Sequence, residues 1–81
     1  MDRRMTDAYV HVFVEPGAVS NAAEAIAASD VAKRVDLVTG EHDLVVQLEV
    51  GDKDDIANAV TEEIHTVTGV IDTETHVAFE P

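Results

Sequence analysis

The chain has no cysteine and no tryptophan. Disulfide staples, thiolate metal sites and thiol catalysis are therefore excluded together. Aromatic residues are limited to Tyr9, Phe13 and Phe79. No apolar run approaches the roughly 20 residues that a membrane helix needs, and Met1-Asp2-Arg3-Arg4 is not followed by the apolar core of a signal segment. Positive charge is scarcer still. Five Lys and Arg residues stand against 17 Asp and Glu, for a net charge of −12. Arg3 and Arg4 belong to a short lead, leaving Lys33, Arg34 and Lys53 for the body. A field of that sign repels phosphate backbones, so direct nucleic-acid binding by this chain is not expected. The same excess of acid suggests adaptation to concentrated salt, where the Debye length shrinks to about 3 Å. With 81 residues and 46% hydrophobic content, the expectation is one soluble, cytoplasmic domain, not a disordered segment. A chain of this length buries only about 60–65% of its unfolded surface, so its stability margin is thin.

Hydrophobic periodicity divides the rest cleanly. Residues 1–7 form the lead. From Ala8 to Val14, Val10, Val12 and Val14 alternate with Tyr9, His11 and Phe13, the period of a strand. Glu15-Pro16-Gly17 breaks it. Val19, Ala22, Ala23, Ile26 and Ala27 then follow the spacing of a short amphipathic helix. Val31 to Thr39 reads as a second strand, with Val35 and Leu37 on one face. After Thr39-Gly40-Glu41-His42, a third strand carries Leu44, Val46, Leu48 and Val50 on one face. Asp52 followed by Asp55 resembles a capping box and opens a second helix. Its buried stripe is Ile56, Val60, Ile64 and Val67, with Gly69 as terminator. Val70 to Phe79 alternates again as a fourth strand.

The order β-α-β-β-α-β, with right-handed crossovers, predicts an α+β, ferredoxin-like fold: a four-stranded antiparallel sheet with both helices on one face. The opposite face carries Tyr9, His11, Phe13, Val38, Val45 and Ala78 mixed with Arg34, Asp36, Gln47, Glu49, Asp72, Glu74 and His76. It is too apolar to stay in water and too polar for a dry core. The helices cannot cover it, so a second subunit is expected to, giving a dimeric α/β sandwich.

Chemistry-bearing motifs are few. There is no nucleophile elbow, and the glycines at 17, 40, 51 and 69 are isolated at element boundaries rather than gathered in a phosphate loop. His11, His76 and Glu74 share a face, where a metal site is conceivable. No metal-ligand spacing accompanies them, so they read as half-buried polar residues of an interface, with no cofactor expected. His65 reads as solvent-facing. The segment Thr39-Gly40-Glu41-His42-Asp43 is more suggestive: Gly40 permits a positive φ that aims backbone N–H groups outward, beside an Asp43 carboxylate able to hold an ammonium group. By spacing alone, an ordinary hairpin is the commoner meaning of such a turn.

Thr39-Gly40-Glu41-His42-Asp43-Leu44-Val45-Val46 resembles the T-G-x-[aromatic/His]-D-apolar hairpin of the effector-binding (RAM) domain of Lrp/AsnC, or feast/famine, transcription regulators. Glu15-Pro16-Gly17 and Gly69-Val70 with Asp72-Thr73-Glu74-Thr75-His76-Val77 add to it, so the resemblance spans residues 8–80. It implies sheet-to-sheet dimers assembled further, often to octamers, with amino-acid effectors bound near contacts between dimers. By position it implies a ligand pocket lined by Thr39, Gly40, His42, Asp43, Thr75 and His76. Histidines at 42 and 76 stand where the family often has aromatics, which affects side-chain preference. Residues 1–7 are too short for the family's helix-turn-helix, so a stand-alone, non-enzymatic sensor is expected, with a full-length regulator of the family as a partner. Two other classes remain: a small dimeric ferredoxin-like enzyme of the cofactor-free monooxygenase or isomerase type, marked by a cavity under the helices lined by His11, and a ligand-free oligomerisation module.

Overall fold

A computed structural model describes residues 6–38, 43–52 and 54–78. The elements are β1 (Thr6–Val14), α1 (Val19–Ala27), β2 (Ala32–Val38), β3 (Asp43–Val50), α2 (Asp54–Ala59), a π-helical turn (Val60–Ile64) and β4 (Val70–Ala78). The four strands form one antiparallel sheet in the order β2-β3-β1-β4. This is the expected ferredoxin-like arrangement. Its centre is β1 and β3, and β2 and β4 are its two edges.

The alternation of β1 and β3 sets the core. Ala8, Val10, Val12 and Val14 lie beside Leu48, Val46 and Leu44 on the helix-covered side, all buried. Ala22 and Ile26 from α1, and Ile56, Ala59 and Ile64 from the second helical segment, complete the same cluster. No buried polar or charged residue interrupts it among the described residues. Burial of this apolar area, at roughly 25 cal/mol per Å², is the main force holding the sheet to the helices.

The first break is a type II turn. Ala18 N–H donates to the Glu15 carbonyl at 3.0 Å, Pro16 supplies the fixed φ, and Gly17 takes φ +88° at the position where a positive φ is required. The second helix opens with Asp52, whose Oδ1 accepts the Asp54 N–H at 3.1 Å.

Two local expectations are corrected, for Ala27 and for the second helix, while Leu37 shares the face of Val35 as expected. Ala27 is exposed: at 100° per residue it sits about 90° from the centre of the stripe formed by Val19, Ala22, Ala23 and Ile26. Leu37 lies on the helix side opposite Leu44 but is 63% exposed, because β2 is an edge strand. The second helix does not run to Gly69. It widens at Val60, where His65 N–H donates to the Val60 carbonyl at 2.8 Å, and ends at Ile64. β-branched residues crowd this stretch, and Thr66 Oγ1 donates to the Glu62 carbonyl at 2.9 Å, competing with regular helical bonding. The wide turn brings Ala59 and Ile64, five residues apart, into the core together. Gly69, with φ +96°, serves the turn into β4 instead.

The candidate effector residues and the open sheet face

The sheet register places each candidate residue. Thr39, Gly40 and His42 lie outside the described residues. Asp43 is the first residue of β3, paired with Val38 on one side and Phe13 on the other. Thr75 and His76 are in the middle of β4, opposite Val10 and Tyr9. Being adjacent in a strand, they project to opposite faces: Thr75 toward the helix side, His76 toward the open side, both exposed. Asp43 and His76 are separated by two strand spacings and four residues of rise, or about 16 Å within one chain. That gap exceeds the length of an amino acid. The backbone positions of Asp43 and His76 in one copy are therefore too far apart to flank one such ligand directly.

The open face is organised around β1. Tyr9, His11 and Phe13 run down its middle, and the His11 ring stacks on Phe13 with centroids 4.6 Å apart and 25° between planes. Across the sheet, Gln47, Tyr9 and His76 share a row, as do Val45, His11 and Glu74. His11 and Glu74 thus sit on neighbouring strands and share the expected face. His76 Nε2 lies 3.5 Å from Glu74 Oε1. Arg34 Nε donates to Asp36 Oδ2 at 2.8 Å, and Lys33 Nζ is 3.6 Å from Glu49 Oε2. Tyr9 remains 44% exposed in the single chain, and no helix reaches this side. Among the described residues, no group of three or more His, Asp or Glu side chains is arranged to hold a metal ion. His65 is exposed, as expected.

His11 bears on the enzymatic alternative. It stands on the face away from the helices, so it cannot line a cavity between sheet and helices. That interior is filled by Val10, Val12, Leu44, Val46 and Leu48.

The periodicity did not reveal one concavity. An open cleft of about 380 Å³ lies between the C-terminal end of β3 and the second helical segment. Asp55, Glu62 and Glu63 border it beside the Glu49–Gly51 end of β3, over a floor that includes Val31 and Ala59. The helical spacing of Asp55 and Glu62 is the signal that could have found its acidic wall.

No curated protein is similar to the chain at a significant level. Among solved structures, TTHA0845 from Thermus thermophilus is 34% identical, with a TM-score of 0.88 over 95% of this chain and 96% of that one. The hypothetical protein PHS023 from Pyrococcus horikoshii is 26% identical, with a TM-score of 0.84 over 95% and 93%. Escherichia coli AsnC, 13% identical, has the same fold, with a TM-score of 0.85 over 94% of this chain, which spans 52% of that protein. No helix among the described residues is long and apolar enough to cross a membrane. The family model for the Lrp/AsnC ligand-binding domain matches residues 7–81, and the chain belongs to that family.

Proposed function

We propose that this domain is a non-enzymatic sensor, binding an amino acid or related small metabolite between copies of itself and passing the signal to a partner through its assembly. The observation that carries this reading is the split of the candidate residues. Asp43 opens β3, with Thr39, Gly40 and His42 just before it in the sequence, whereas Thr75 and His76 belong to the edge strand β4. Residues divided in this way become a single pocket only where two copies meet, so ligand occupancy and assembly are one equilibrium. A ligand with higher affinity for one assembly state shifts the population toward it.

In the pocket, the Asp43 carboxylate pairs with the ligand ammonium, backbone N–H groups around Gly40 receive its carboxylate, and the Thr75 hydroxyl adds a hydrogen bond. Sheet-to-sheet pairing over Tyr9, His11 and Phe13 makes the basic dimer, and further association to an octamer or similar ring creates the ligand sites. A full-length regulator of the same family is the partner of choice, since the shared domain supplies matching surfaces; any effect on transcription is then indirect. A Neisseria meningitidis transcriptional regulator of the same fold, 17% identical, is known as a complex with L-Met. Methionine is accordingly an early effector to try.

Titration calorimetry of the twenty amino acids, run beside sedimentation velocity, tests the proposal. The expected result is heat from one or a few amino acids, a shift in sedimentation on binding, and loss of both in Asp43→Ala. Absence of heat from all twenty, with Asp43→Ala assembling like the parent, would overturn it and favour a ligand-free oligomerisation module.

A further inference from the structure

We propose that pairing through the open sheet face is gated by salt, because among the described residues each copy presents there an excess of carboxylates over cations. This inference rests on the sheet-to-sheet pairing proposed above and concerns its regulation. Asp7, Asp36, Glu49, Asp72 and Glu74 all stand on the open side by register. Against these five, Lys33 and Arg34 supply two cations, so the described side chains leave an excess of three negative charges on this face. Arg34 is held by Asp36 at 2.8 Å, and Lys33 by Glu49 at 3.6 Å. Each cation thus already faces a carboxylate of its own chain.

Asp7 is the sharpest case. It sits directly across from Glu49 in the β1–β3 ladder, a like-charged cross-strand pair. Its Oδ1 is buried, and no described group hydrogen-bonds to it. A second copy brings the same face, so carboxylates approach carboxylates as water is excluded. The apolar middle of the face, Tyr9, Phe13 and Val45, favours contact, while this ring of acid opposes it. Added salt weakens only the opposing part. The Debye length falls from about 10 Å at 0.1 M to about 3 Å at 1 M, less than the separation of charges across such an interface. The domain would therefore be largely single at low ionic strength and paired in concentrated KCl.

The experiment is sedimentation equilibrium of the full chain across KCl from 0.1 to 2 M, with circular dichroism at each step so that pairing is scored on folded protein. The expected association constant rises at least about tenfold over this range as screening grows. The double variant Asp7→Asn/Glu74→Gln, which keeps side-chain shape, is expected to pair at 0.1 M as the parent does at high salt. Glu24→Gln/Glu62→Gln, with the same charge change on the helix side, is expected to keep the parent's salt dependence. A dimer whose affinity does not change with KCl would overturn the gating while leaving sheet pairing intact. Equal rescue by both double variants would also overturn it, since the effect would then belong to overall charge. A chain that stays single at every salt concentration would remove the pairing itself.

Discussion

Gly69 and Ala18 approach so closely that a Cβ built on Gly69 would lie 2.5 Å from the Ala18 Cβ. Nearby, the Gly69 carbonyl accepts the Glu15 N–H at 2.8 Å. The turn into β4 is thereby locked onto the turn into α1, joining the sheet's edge to the helical layer. Gly69→Ala meets two obstacles, a φ of +96° and a neighbour that cannot rotate away. It should cost about 2–4 kcal/mol, the sum of left-handed strain and overpacking. Gly17→Ala has the strain but open space, and should cost about 1 kcal/mol. Urea unfolding of both variants checks the ranking; equal losses would mean that the Ala18 contact is unimportant.

Ile26 is the one large side chain that α1 drives fully into the core, its other contacts being Val19, Ala22 and Ala23. Ile26→Ala should lose about 2–5 kcal/mol, a large fraction of the stability of so small a domain. Ala27→Ser, one position away and exposed, should stay within about 0.5 kcal/mol of the parent. Thermal unfolding followed by circular dichroism distinguishes these outcomes.

Phe13→Glu places a charge on the open face beside the His11 ring without entering the helix-side core. The expected outcome is a folded chain with the parent's far-ultraviolet spectrum that sediments as a single copy at micromolar concentration in concentrated KCl, where the parent pairs. A Phe13→Glu protein that still pairs would show that copies meet through another surface.

The same variant isolates how salt acts on folding alone. With a net charge of −12, self-repulsion within one chain opposes compactness. The unfolding midpoint of Phe13→Glu should rise as KCl is added, and should not rise with an equal osmolality of glycerol. A midpoint indifferent to KCl would remove the argument for adaptation to concentrated salt.

Reading the sequence located all four strands within a residue or two, because Val10, Val12 and Val14, like Leu44, Val46 and Leu48, must alternate to reach one core. It located the Glu15-Pro16-Gly17 turn for an equally local reason, the fixed φ of proline followed by the free φ of glycine. The second helix was less legible. The stripe Ile56, Val60, Ile64 and Val67 fits a regular helix, yet packing selects a wide turn at Val60 that seats Ala59 beside Ile64. Nothing in the spacing shows how far helices extend over an edge strand, so the exposure of Leu37 was hidden too. Among candidate site residues, the place of Thr75 and His76 on the last strand was readable, but not the distance between Asp43 and His76.

The sequence by itself determined the element order, the two faces of each strand, the strong negative charge and the family to which the chain belongs. These follow from interactions between near neighbours and from composition. Only the tertiary structure decided that β2 and β4 form opposite edges, that Asp43 and His76 stand about 16 Å apart in one copy, and that Gly69 closes on Ala18. Those facts depend on which distant segments pack together, and that choice is made by burial of the whole core at once.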